Sequence, residues 1–236
     1  VSTTVIFDFD GTLTVGSAPV DAYAEEVAAL VGDRDIVAAV AAHLASFEAG
    51  DPGFIDGYDV VRLVAHERGV SGATLTKAYE RSRERLATES VPISAPEGLA
   101  EFLEDLLTVA DVVLATNAPA TRLPEALEML GMSGLLTAQY TSVGKPDGLS
   151  AVVAKAMAGG RVLSVGDVYA NDLGPAADMG ASTALVGPTW RHFAGKVTMA
   201  ARTLPELYLP IKTWAGTVPP APPVPTGTGP THERHH

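Results

Sequence analysis

Apolar residues along this chain gather in five short runs, separated by stretches in which they recur every third or fourth position. The runs are "TTVIF" (3–7), "DVVLAT" (111–116), "TAQYTSV" (137–143), "RVLSVG" (161–166) and "STALVG" (182–187). Their length and β-branched content predict strands. Between the later runs lie "PEGLAEFLEDLLTVA" (96–110), "PATRLPEALEMLG" (119–131), "DGLSAVVAKAMAGG" (147–160) and "NDLGPAADMGA" (171–181), whose spacing predicts helices. Strict alternation of this kind predicts an α/β fold. A parallel strand is reached only through a crossover, and near-continuous apolar strands are buried on both faces.

The alternation breaks once, between the first and second runs, where about a hundred residues read mostly as helix. One face carries Val20, Tyr23, Val27 and Leu30, another Ile36, Val40, Leu44 and Phe47, and a third Leu75, Tyr79, Ser82 and Leu86. The expected organisation is a core domain of residues 1–13 and 94–214 with a helical domain inserted at 14–93. Residues 215–236 are rich in Pro, Gly and Thr and are expected to form a disordered tail or part of a tag.

Composition narrows the function. A net charge of -12 argues against nucleic acid, whose phosphates reward clustered Lys and Arg. The chain has no cysteine, so disulfide and thiol chemistry are excluded. No run of about 18 apolar residues predicts a membrane span, and a cytoplasmic protein without membrane contact is expected.

In open parallel sheets ligands bind beyond the carboxyl ends of the strands. There the first run is followed by Asp8 and Asp10, the second ends at Thr116 and Asn117, Lys145 follows the third, and Asp167, Asn171 and Asp172 follow the fourth. Any one of these fits a turn or helix cap. Together, Asp8, Asp167 and Asp172 would repel one another unless a cation neutralised them. Oxygen-only donors favour Mg²⁺ over zinc or copper. With Lys145 and the Thr116 hydroxyl, such a site suits a phosphate dianion. Asp8 and Asp10, two apart in extended chain, face the same side, so that one can attack phosphorus while the other moves a proton.

These residues also carry a resemblance. "DFDGT", "LATN", "GKP" and "GDVYANDLGPAADMG", in that order over about residues 3–190, resemble the four motifs of the haloacid dehalogenase superfamily of phosphotransferases. The resemblance implies a Rossmann-like sheet of order 3-2-1-4-5. It implies Asp8 as the nucleophile that becomes aspartyl-phosphate and Asp10 as the acid/base that also offers its carbonyl to Mg²⁺. Thr116 and Asn117 would hold the phosphoryl group, Lys145 would steady it and the nucleophile, and Asp167 and Asp172 would serve the metal. The insertion after the first strand is similar to that of the phosphoglycolate phosphatase branch with its helical cap. Asp10 points to phosphate-ester chemistry, since dehalogenases of the superfamily lack it.

The expected function is a Mg²⁺-dependent phosphatase of a small phosphorylated metabolite, phosphoglycolate or a sugar phosphate, as a monomer or weak homodimer. The alternatives are a sugar phosphomutase and a non-catalytic binding protein. A receiver-like signalling module is disfavoured by the large insertion. "HERHH" (232–236) matches a zinc-protease pattern but lacks a helical scaffold, and "GTLTVGS" lacks a phosphate-loop lysine. An EF-hand reading of "DFDG" fails because Leu13 and Pro19 replace the required glycine and glutamate. The pairs Arg62/His66 and Arg81/Arg85 are read as solvated helix faces, the alternative being contact with a substrate carboxylate or second phosphate, His43 as a helix-flank residue, and Trp190 and Trp214 as packing the final helices.

Overall fold

The computed structural model describes residues 2–217. Five runs form strands β1 (Ser2–Phe7), β2 (Asp111–Ala115), β3 (Ala138–Tyr140), β4 (Gly160–Gly166) and β5 (Ser182–Leu185), and a two-residue strand β6 (Met199–Ala200) completes one sheet. All pairings are parallel and the order is β3-β2-β1-β4-β5-β6. The expected order 3-2-1-4-5 is present, extended by β6 at one edge. β1 lies at the centre, flanked by β2 and β4, and is buried from Thr4 onward.

Helices α5 (Leu99–Leu107), α6 (Leu123–Met129), α7 (Leu149–Met157) and α8 (Gly174–Asp178) make the crossovers. On one face of the sheet Val5, Phe7, Leu114 and Leu163 pack with Phe102, Leu103 and Leu106 of α5. On the other, Ile6, Val113 and Val162 meet Leu149 and Val153 of α7. Alternate residues of β1 therefore serve opposite cores, as the two-residue period requires. The short α9 (Trp190–Phe193) and the final α10 (Tyr208–Gly216) follow β5 and β6. Trp214 packs against the main core and donates its indole N–H to Ser182 at 3.1 Å, whereas Trp190 stacks with Arg191. α10 runs to Gly216 with Ala215 buried, so the core extends past the expected end at 214.

The insertion holds α1 (Ala18–Val31), α2 (Asp35–Glu48), α3 (Gly57–Glu67) and α4 (Gly72–Glu84), packed about a cluster of their own. Val20, Val27, Ile36, Val40, Val61 and Ala78 belong to it. Gly32 ends α1 in the left-handed conformation with its N–H on the Ala28 carbonyl, the usual glycine stop. Asp56 and Ser71 cap α3 and α4 by accepting N–H bonds from Asp59 and Thr74. After α4 the chain rejoins the main core early. Leu86, Ala87, Val91 and Ile93 pack there, and Val15 bridges Ser94, so both connecting segments run side by side. Leu86, Ala87, Val91 and Ile93 thus pack with the main core although they fall within the segment 14–93 expected as the insertion.

No helix among the described residues is long and apolar enough to cross a membrane. The "HERHH" segment and all but the first three residues of the expected tail lie outside the described residues. The central strand β4 generates a stability prediction. Leu163→Ala should lower unfolding free energy by about 2–5 kcal/mol, measured by urea denaturation, because Leu163 is fully buried between sheet and helices.

Candidate active site

The carboxyl ends of β1, β2 and β4 and the loop after β3 converge on one cavity of about 790 Å³. Asp8, Asp10, Thr116, Asn117, Lys145, Asp167 and Asp172 all line it, as do Asn171 and Thr12. The sheet does the positioning. Asp8 leaves β1 with its N–H on the Val165 carbonyl at 2.9 Å, and Thr116 leaves β2 with its N–H on Tyr140 at 2.9 Å.

Two glycines let the carboxylates approach. Gly11 has φ +83°, and a Cβ there would lie 2.3 Å from Asp167 Oδ2. A Cβ on Gly166 would lie 2.3 Å from the Asp172 Cβ. Any larger residue would displace the acid it faces. Asp172 rides on a π-helical turn (Tyr169–Leu173) and accepts the Val168 N–H at 3.0 Å through Oδ2.

Lys145 is the hub. Its ammonium, 4 % exposed, donates to Asp8 Oδ1 at 2.5 Å and to Asp172 Oδ1 at 2.6 Å. Desolvation disfavours the lysine charge, but the two carboxylates overcome it and hold the ammonium above its ordinary range. Burial is also the largest influence on Asp8, whose pKa is pushed up to about 7; Lys145 opposes this, and Asp172 and Asp10 add to it. Asp167 is raised well above the carboxylate range, first by burial and then by Asp8 and Asp172.

One ammonium therefore faces three carboxylates, and oxygens of Asp8, Asp167 and Asp172 all lie within 4.8 Å of one another. This donor set, all oxygen and anionic in surplus, fits a hard divalent cation. It offers no nitrogen or sulfur ligand that would favour zinc. The Thr12 hydroxyl is buried in the cavity wall with no partner among the described residues. Thr116 Oγ1 accepts the Ala118 N–H at 3.0 Å, so its proton stays available. The Asn117 side chain bonds the main chain of Lys145 through both its groups, at 2.6 and 3.1 Å. It positions the lysine, and only its main chain is left to face an anion.

The inserted helices close the far side. Arg83 of α4, 2 % exposed, donates from one nitrogen to Asp10 Oδ1 at 3.1 Å and Oδ2 at 3.2 Å. Tyr58 of α3 donates its hydroxyl to Asp10 Oδ1 at 3.2 Å and accepts from Arg83 at 3.2 Å. Neither residue stands out among the strand-end motifs. The signal for Arg83 is its spacing: it lies four after Tyr79 and eight after Leu75, on the apolar face of α4. The arginines weighed from sequence point elsewhere. Arg62 pairs with Asp59, Arg81 with Glu26, and Arg85 with Glu25 and Glu26. His66 and His43 are exposed and line no part of the cavity.

The family model of haloacid dehalogenase-like hydrolases matches residues 3–180. Solved structures share the fold at low identity. A candidate HAD-hydrolase, YfnB from Bacillus subtilis, bound to magnesium, is 19 % identical with a TM-score of 0.61, covering 89 % of this chain and 98 % of that one. A predicted phosphoglycolate phosphatase from Haemophilus somnus is 14 % identical with a TM-score of 0.60, covering 89 % and 97 %. A candidate β-phosphoglucomutase from Thermotoga maritima is 18 % identical with a TM-score of 0.55, covering 91 % and 99 %. No curated protein matches the chain.

The crowding of Asp8 has a measurable sign. Its folded pKa of about 7 lies above the unfolded value of 3.8, so folding disfavours the carboxylate. That penalty is absent below pH 3.8 and grows as pH rises to about 7. In metal-free buffer Asp8→Asn should therefore melt a few degrees above the unaltered protein at pH 8, roughly 2–4 °C or more, with the gap closing as pH falls toward 4. Differential scanning fluorimetry across that range checks it.

Proposed function

The chain belongs to the haloacid dehalogenase-like hydrolases, and on that premise we propose that it is a Mg²⁺-dependent phosphatase of a small phosphorylated metabolite, of the phosphoglycolate or sugar-phosphate kind. The observation that carries the reading is the Lys145 ammonium set between Asp8 and Asp172 beneath a cavity into which Asp10 also projects. The residues 18–84 that bring Tyr58 and Arg83 over the site act as its cap.

In this reading Asp8, Asp167 and Asp172, with the Asp10 carbonyl, would hold Mg²⁺. When bound, it neutralises the carboxylates and draws charge from the phosphoryl oxygens. The remaining chemistry belongs to the chain. Asp8 attacks phosphorus through a carboxylate oxygen, forming an acyl phosphate as the bond to the leaving oxygen breaks. Asp10 delivers a proton to that oxygen, and the alcohol departs. Asp10 then takes a proton from water as the water oxygen attacks phosphorus, and the Asp8–phosphorus bond breaks to free phosphate and restore the carboxylate. Lys145 keeps Asp8 aimed and offsets negative charge, while the Thr116 hydroxyl and the Asn117 main chain steady the phosphoryl oxygens. Arg83 and Tyr58 hold the Asp10 carboxylate in place over the site.

Phosphate release from phosphorylated metabolites tests the reading. Turnover should vanish with chelator, return with Mg²⁺ and be lost in Asp8→Asn. Asp10→Asn should slow it by ~10²–10⁴, the usual worth of a general acid–base group. Near-normal release from Asp8→Asn would sink the mechanism. Arg83→Met should reduce turnover of alkyl phosphates about tenfold or more, yet leave 4-nitrophenyl phosphate within about threefold, because a phenolate of low basicity leaves without a proton.

A further inference from the structure

The cavity has two walls of different chemistry. The core side is carboxylate and lysine, while the cap side presents Val20, Leu44, Phe47, Tyr58 and Tyr79. Tyr58 and Tyr79 meet edge to face with ring centroids 5.8 Å apart, and Tyr23 braces them from behind at 6.1 and 5.7 Å. Three mutually packed rings make a stiff aromatic surface, which gives up little conformational entropy when a ligand lies against it.

Charge on the lining is one-sided. Seven carboxylate residues and only two cationic ones line the cavity among the described residues. Both cations already have partners: Lys145 has Asp8 and Asp172, and Arg202 donates to the Glu48 carbonyl at 2.8 Å and pairs with its carboxylate at 3.5 Å. The buried cap cation nearest the site, Arg83, is held by Asp10 and Tyr58. The cap contributes two acids to the lining, Asp56 and Glu48. A second anion on the substrate, whether carboxylate or phosphate, would meet these acids with no uncommitted cation among the described lining residues to receive it.

We propose, resting on the phosphatase reading above, that the substrate is a phosphate monoester of an uncharged alcohol with an apolar or ring face, received against Tyr58 and Tyr79, and that esters carrying a second anion are rejected. The selection is made by the cap wall; of the two kinds of substrate in that reading it keeps the sugar-phosphate kind and drops phosphoglycolate, whose carboxylate is a second anion. Hydroxyls on the alcohol have acceptors at hand in Asp56 and Glu48.

The test uses binding, so that it does not depend on turnover. With Mg²⁺ present, calorimetry compares benzylphosphonate with 4-carboxybenzylphosphonate, which have the same ring and the same phosphorus group but differ by one remote charge. Benzylphosphonate, without the remote charge, should bind at least about tenfold more tightly, since like-charge juxtaposition is strongly unfavourable. Equal or tighter binding of the carboxylated compound, or no binding of either, would overturn the proposal. Tyr79→Ser should reduce the advantage of benzylphosphonate over methylphosphonate by about two- to tenfold, the range of an aromatic contact. An unchanged advantage in Tyr79→Ser would contradict the assignment of that wall. Charge preference retained alongside a failure to hydrolyse benzyl phosphate would count against the phosphatase reading and in favour of this selectivity.

Discussion

Three carboxylates gathered round one ammonium are the constraint on which this structure turns. Asp8, Asp167 and Asp172 place oxygens within 4.8 Å of one another, and Lys145 bridges two of them. Like charges at that separation in a desolvated site are costly, and they persist only where the surrounding fold determines them. The sheet supplies that determination. Parallel β1 and β4 end side by side, Gly11 and Gly166 remove the side chains that would keep the acids apart, and the Asn117 amide fixes the main chain of Lys145. The stability forgone at this edge is recovered in the cores on the two sheet faces, where burial of apolar surface dominates.

The inserted helices take part in the same electrostatics. A nearly inaccessible Arg83 is tolerable because Asp10 and Tyr58 receive it, and Asp10 is kept in place because Arg83 and Tyr58 hold it. The contact joins residues 73 positions apart and makes the carboxylate of one unit depend on the packing of the other. At the opposite rim, Arg202 and His192 bond the Glu48 and Gly50 carbonyls, so the helical unit is tied down on two sides of the cavity.

Much of this was legible in the sequence, for identifiable reasons. Strands β1, β2 and β4 were visible because parallel strands buried on both faces read as near-continuous Val, Ile and Leu. The candidate residues followed, because a parallel sheet puts what comes after each run on one edge. Strand β6 was not legible: at two residues it is too short for a periodicity and is defined by its pairing with β5. The return of residues 86–93 to the core was hidden as well, since Leu86 continues the helical face of α4 in spacing but packs against the sheet. Arg83 and Tyr58 escaped because charge and hydroxyl on a helix usually mean solvent. Only the tertiary fold shows that both turn inward to Asp10. Asn117 sits where expected, but its amide serves Lys145, a choice that depends on loop geometry no strand-end pattern encodes.

The proposed mechanism rests on Asp8 carrying the phosphoryl group. Rapid acid quench of a single turnover, followed by borohydride reduction and peptide mass spectrometry, reads this directly, because borohydride converts an acyl phosphate to the alcohol. Homoserine is expected at position 8 of the quenched enzyme, with Asp10 unmodified. Phosphate release with Asp8 unreduced, or reduction at another carboxylate, would contradict it.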